Sequence, residues 1–185
     1  LDIFGYIDRD GDGWREQPDG SALVIEYSTP PDQGQRQLDE IRKRNFDKMG
    51  LRLELKYGKW PELAKAARAG QFMSWGLGSS ATGYDSRPGL QRGYGPAAGG
   101  QNFSHFDHPD FNRLYDRIRV TPNGPERLAL IQQAIRIWVA YVPYKVHVHR
   151  IYTDLWHPWV SNYLRHPFSY RFWEYIDIDA TAQAN

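Results

Sequence analysis

The chain has 185 residues, enough for one large domain or two small ones. Its 23 basic and 22 acidic residues leave a formal charge of +1, without the basic excess of a dedicated nucleic-acid binder. It has no cysteine, which excludes disulfides, thiol catalysis and the usual ligands of structural zinc, and no run of about 20 apolar residues that would span a membrane as a helix.

Residues 8–20, DRDGDGWREQPDG, form a polar turn region, and SALVIEYS (21–28) reads as a largely buried strand. Residues 33–49 predict a helix with Leu38, Ile41, Phe46 and Met49 near one face and Gly50 as its C-terminal cap. LRLELKY (51–57) alternates apolar and charged residues, the pattern of a half-buried strand. Pro61 opens a short helix through Ala69. Its acid Glu62 lies early, its bases Lys65 and Arg68 late, and Gly70 follows, as the helix dipole and cap preferences favour. FMSWGLG (72–78) predicts a short central strand ending in glycine.

Residues 76–104 are rich in Gly, Ser, Pro and Tyr and show no period. A stretch this long is uncommon in a compact domain unless it has a function. Pro109 begins a helix with Phe111, Leu114, Tyr115 and Ile118 on one face. Asn123 is placed to cap a longer helix, with Glu126 three residues on. The expected inner face of that helix carries Leu128, Ile131, Ile135, Trp138 and Val142, and Pro143 ends it. YKVHVHRIYTD (144–154) predicts a strand, and an aromatic, looped tail follows. Strands alternating with helices imply an α/β layer architecture.

The segments together resemble the C-terminal lobe of the family 5 extracellular solute-binding proteins, the dipeptide- and oligopeptide-binding components of ABC importers. DRDGDGWRE (8–16), MGLRLELKYGKWPEL (49–63), AGQFMSWG (69–76), NFSHFDHPDFNRLYDRIR (102–119), PERLALIQQAIRIWVAYVPYKVHVHR (125–150) and FWEYIDID (172–179) carry the resemblance in family order. It implies one α/β lobe over residues 1–185, a mixed β-sheet flanked by helices, taken from a longer two-lobed periplasmic protein whose N-terminal lobe and signal peptide are absent here. It also implies a binding protein without catalysis or cofactor, whose partners are a small polar solute and a membrane permease.

The resemblance places Trp75 and Gly76 at the family's tryptophan-glycine strand end, and Asn102 and Phe103 in a segment facing the ligand. Ligands of α/β sheets bind outside the carboxyl ends of strands. A Trp there supplies an apolar wall, and a glycine lets ligand reach the backbone. Peptide-binding members carry an acid shortly after this Trp to pair with the ligand's α-ammonium. This chain has Gly78, Ser79 and Ser80 instead, and the nearest acid is Asp85 in Tyr84–Asp85–Ser86–Arg87. Either Asp85 takes that role, with Tyr84 beside it, or the ligand has no free α-amino group. Arg87 is a candidate for a bidentate contact to a carboxylate or phosphate.

Two constellations point elsewhere. Asp8, Asp10 and Asp12 with Gly13 have the opening spacing of a calcium loop, but position twelve is Asp19, and no helix is predicted before it. A structural turn is the stronger expectation. His147 and His149 share a strand face, and His105, His108, His157 and His166 add potential ligands for a metalloenzyme. An aromatic content of 15% also fits a carbohydrate-binding module. No G-x-S-x-G, H-E-x-x-H or P-loop is present.

Overall fold

The computed structural model describes residues 1–80, 83–149, 151–169 and 171–183. The alternating segment after the first turn forms β1 (Val24–Thr29) and a second one forms β2 (Arg52–Tyr57), joined by α1 (Gln33–Asp47). The two strands pair in parallel from Val24↔Arg52 to Thr29↔Tyr57, as a strand-helix-strand crossover requires. Asp32 caps α1 by accepting from the Gln35 N–H at 2.8 Å. At its other end Gly50 takes φ +68°, and the Leu51 N–H donates to the Phe46 carbonyl at 3.0 Å. This is the left-handed closure that favours glycine.

α2 (Trp60–Arg68) starts with Pro61 in its first turn, and the Glu62 carboxylate accepts from the Lys59 N–H at 3.1 Å. Gly70, at φ +67°, closes it. Leu63, Ala64 and Ala67 of α2 are buried, as are Leu51 and Leu53 around β2.

The expected inner face of α1 is corrected by the structure. Leu38, Ile41 and Met49 are about half exposed, and Asp39 is the helix's buried residue. The sheet beside α1 has two strands and one bridge, too narrow to cover the helix's whole apolar flank. The predicted third strand is reduced to that bridge, a parallel pairing of Trp75 with Ser28. The Ser28 N–H donates to the Ser74 carbonyl at 2.9 Å. Gly76 and Gly78 lack the side-chain packing that extends a strand.

These elements, with residues 97–105, make one of two compact units; the other holds residues 79–96 and 106 onward. In the second, the stretch expected to lack regular structure contains α3 (Arg87–Leu90) and a following 3-10 turn. α4 (Pro109–Val120) packs on α5 (Pro125–Tyr141). Leu90, Phe111, Tyr115, Ile118, Leu130 and Ala134 form the core. The predicted face of α4 is therefore the buried one.

α5 departs from expectation in its cap and in part of its inner face. Gly124 occupies the N-cap position, and the Asn123 side chain instead accepts from Arg127 at 2.8 Å. Arg127, Leu130 and Ala134 face inward, while Leu128, Ile135 and Val142 are exposed. The helix is apolar on opposite flanks, so periodicity alone cannot choose between them. Val142 ends it at φ +47°, an uncommon conformation for a β-branched residue. Pro143 follows and disfavours the right-handed helical region for the residue before it.

No strand forms in 144–149 or 151–154, and Arg150 lies outside the described residues. Val146 and Val148 are exposed, with no strand beside them among the described residues. The tail holds a short antiparallel pair, β3 (Val160–Ser161) with β4 (Asp177–Ile178). No described helix is long and apolar enough to cross a membrane.

Candidate functional site

The carboxyl ends of the parallel strands carry an aromatic cluster. Trp60 enters from the start of α2, immediately after β2, and Trp75 from the bridge on the other side of β1. Their ring centroids lie 5.1 Å apart at a tilt of 39°. Phe72 and Phe103 meet Trp75 edge-on at 5.9 Å and 5.7 Å, distances and angles that suit the aromatic quadrupole. Trp75 is thus the hub, and Trp60 its exposed member at 53% accessibility. The Trp75 Nε1 is closed to solvent and has no hydrogen-bond partner among the described residues. Such donors are rare in folded proteins and cost about 1–3 kcal/mol while unpaired.

Gly76 continues the backbone past Trp75. A Cβ at this position would overlap the Tyr27 hydroxyl, so glycine here accommodates a neighbouring side chain. Burial pushes the Tyr27 hydroxyl above its usual pKa. The Arg42 guanidinium lies 3.9 Å from the centre of the Tyr27 ring and pairs with Asp39. Asp39 also accepts from Thr29 Oγ1 at 2.8 Å and from Gln35 Nε2 at 3.1 Å. Thr29 and Asp39 are almost completely buried, so this bonded set fixes the end of β1 and holds Tyr27 in place.

Asn102 and Phe103, adjacent in sequence, have different surroundings. Asn102 is fully buried. Its N–H donates to the Ala97 carbonyl at 3.1 Å, and its Oδ1 accepts from Ser104 Oγ at 2.9 Å. Those bonds shape the segment that presents Phe103 to Trp75.

Tyr84, Asp85 and Arg87 lie in the other unit. Tyr84 is exposed, with its ring edge-on to Phe168 at 4.5 Å. Asp85 pairs with Arg127 at 2.8 Å and with Arg87 at 3.8 Å, and it accepts from the Arg87 N–H at 2.9 Å. The Arg127 hydrogen bond, followed by the one from the Arg87 backbone, holds its carboxyl below the usual carboxylate range. This carboxylate is committed to the protein's own cations. Of the seven candidates, the structure brings Trp75, Gly76 and Phe103 together, with Asn102 as support.

Trp60 and Phe72 were not singled out in the sequence. Their signal was position, since each lies next to the end or start of a predicted element beside a glycine-bearing turn. In sequence they resemble ordinary core aromatics.

Asp8, Asp10, Asp12 and Glu16 gather with ligand atoms within 4.8 Å of one another. Glu16, not Asp19, joins the three aspartates. Asp8 accepts from the Gly11 and Gly13 N–H groups at 2.7 Å and 2.9 Å, and Asp12 pairs with Arg52 at 2.6 Å. Asp19 accepts from Ser21 in a separate turn. The acids tie the turn to its own backbone and to β2. A concavity of about 430 Å³ beside this turn is lined by Asp2, Asp8, Arg15 and Lys48, among others, and is open to solvent.

Several histidines have structural partners. His105 Nε2 lies 3.2 Å from the Ala67 carbonyl, and His108 caps α4. His157 stacks on Trp159 at 4.1 Å, and His166 accepts from the Phe168 and Ser169 N–H groups. His147 and His149 join no cluster of metal-ligating groups among the described residues.

The mixed α/β fold is that of a lobe of the periplasmic solute-binding proteins. A periplasmic oligopeptide-binding protein of an ABC transporter from Thermotoga maritima, solved with mannohexaose, is 20% identical with a TM-score of 0.67 over 77% of this chain. AppA, an oligopeptide-binding protein from Bacillus subtilis solved with a nonapeptide, is 16% identical with a TM-score of 0.70 over 95%. NikZ from Campylobacter jejuni, solved with Ni(L-His), is 20% identical with a TM-score of 0.59 over 74%. The chain spans 28%, 35% and 28% of these proteins' lengths, respectively. No family model matches the chain, and no curated protein matches it in sequence.

Proposed function

We propose that the chain is a C-terminal ligand-binding lobe of a periplasmic solute-binding protein, distantly related to family 5. In this reading it captures a peptide-like or other small polar solute and delivers it, unchanged, to an ABC permease. The observation that carries the reading is the Trp75-centred cluster, which sits where α/β sheets take ligands in a fold shared with importer components. Trp75, Gly76 and Phe103 would contact the solute, with Asn102 shaping the segment behind them. Tyr84, Asp85 and Arg87 lie in the other unit and are proposed as candidate solute contacts of that unit. Asp85 has less to offer an ammonium than the sequence implied, because two arginines already hold it.

The solved neighbours were crystallised with a hexasaccharide, a nonapeptide and a metal–amino acid complex, so the shared fold does not select among solutes. Calorimetric titration of the chain with short peptides, oligosaccharides and nickel–histidine tests the reading. Saturable binding of one class, with the ligand recovered intact, is expected. Conversion of any ligand to product would overturn the non-enzymatic reading.

A further inference from the structure

We propose that Trp60 and Trp75, backed by Phe72 and Phe103, form a subsite for an uncharged saccharide ring. The inference rests on the solute-capturing reading and narrows its ligand class. Three features favour a neutral, hydroxyl-bearing ring over a charged solute.

The first is surface type. Trp60 is 53% exposed yet is anchored on the Trp75 ring at 5.1 Å, so it offers a flat face with little freedom to lose. Aromatic faces carry negative charge density, which suits the polarised C–H groups on one side of a pyranose. The second is charge. The segment from Trp75 to Gly78, WGLG, has no acid and no base. Lys59 and Glu62 flank Trp60 with opposite signs, and the Glu62 carboxylate already accepts from the Lys59 N–H. A cation would meet an attractive ring face but, in these segments, only the Glu62 carboxylate, which already holds the start of α2, and an unpaired ion in a dry site is costly. The third is hydrogen bonding. The buried Trp75 Nε1 has no partner among the described residues, and a saccharide hydroxyl oxygen can accept from an indole N–H, which an ammonium, a donor only, cannot.

The test is a titration of the full chain followed by the indole N–H resonances in nuclear magnetic resonance spectra. Maltohexaose is the neutral probe and trialanine the zwitterionic one. Maltohexaose is expected to shift the Trp60 and Trp75 resonances saturably, and trialanine to leave them in place. Trp60→Ala should weaken maltohexaose binding about tenfold, the size of one stacking contact, and Trp60→Phe should restore part of it. Trp60 is half exposed, so the fold should survive both changes, which unchanged dispersion of the other resonances would show. Binding of trialanine at these indoles without maltohexaose overturns the saccharide assignment and leaves solute capture standing. Silence of both probes, or indifference of maltohexaose to Trp60→Ala, overturns the subsite itself. Hydrolysis of maltohexaose would instead overturn the capture reading.

Discussion

The two units bury different things. In the sheet unit, the closed interior beside β1 includes a bonded polar set, Thr29 and Asp39 with Gln35 and Arg42 at its edge. In the helical unit, the core cluster is apolar, with Phe111, Ile118 and Ala134 fully enclosed and Arg127 as the buried polar side chain beside it. A polar interior stays stable only while every member is bonded. An apolar one stays stable while it is full. The first specifies orientation, here of Tyr27 beside Gly76, and the second supplies cohesion.

The comparison is broken most forcefully at Phe111. Its ring is fully buried and contacts the rings of Phe106 and Trp138. Phe111→Ala should cost about 3–5 kcal/mol, read as a lower denaturation midpoint. A loss under about 1 kcal/mol, the scale of a surface change, would show that α4 and α5 do not form the described core.

Asp39→Ala tests the polar interior. It removes the acceptor of Thr29, Gln35 and Arg42 together. The expected loss is about 2–3 kcal/mol, below the usual figure for a broken buried pair because Arg42 keeps some contact with solvent. Asp39→Asn keeps an acceptor and should lose less. An equal loss from both would mean that charge alone, not bonding, holds the site.

The difference between the units also explains what was legible in the sequence. β1, β2, α2 and α4 each have a clean period and an end signal, such as Gly50, Gly70 or Pro109, and appear close to where they were expected. α1 and α5 are legible as helices, but their inner faces only in part: Ile131 and Trp138 pack on the core as expected, while Leu38, Ile41, Leu128 and Ile135 are exposed. Composition marks Leu38 or Leu128 as apolar, yet it cannot show that a two-stranded sheet leaves part of a helix uncovered, nor that Asp39 is buried through its bonds. The segment 144–149 has strand alternation but no partner strand among the described residues, and pairing is not encoded locally. At the candidate site, Trp75 and Phe103 were readable from resemblance. Trp60 joins them through the crossover that brings the end of β2 beside the bridge at Trp75, a contact 15 residues apart in sequence.

Gly76→Ala probes how tightly the sheet unit is specified. The added methyl group meets the Tyr27 hydroxyl, and the expected cost is about 1–3 kcal/mol. Tyr27→Phe removes the obstructing oxygen and leaves the ring carbon at 3.4 Å, ordinary contact distance. The double variant should therefore be more stable than Gly76→Ala alone, a coupling that a double-mutant cycle measures. Additive losses would mean that Gly76 is required for another reason, such as its backbone conformation.

The smallest effect lies at Asp85, where the helical unit has its own polar contact. Arg127 is mostly buried, but Asp85 is 42% exposed, so solvent screens the pair and Asp85→Asn should cost under about 1 kcal/mol near neutrality. The direction with pH is set by the lowered carboxyl pKa. The folded state favours the ionised form, so the contribution is fully present above the unfolded value near 3.8. It fades as the pH falls through that value toward the lower folded one. The stability difference between the native chain and Asp85→Asn should thus shrink on acidification below about pH 4 and stay constant from there to neutrality. A difference that instead grew on acidification would mean that Asp85 is protonated in the fold, and the Arg127 pairing would have to be abandoned.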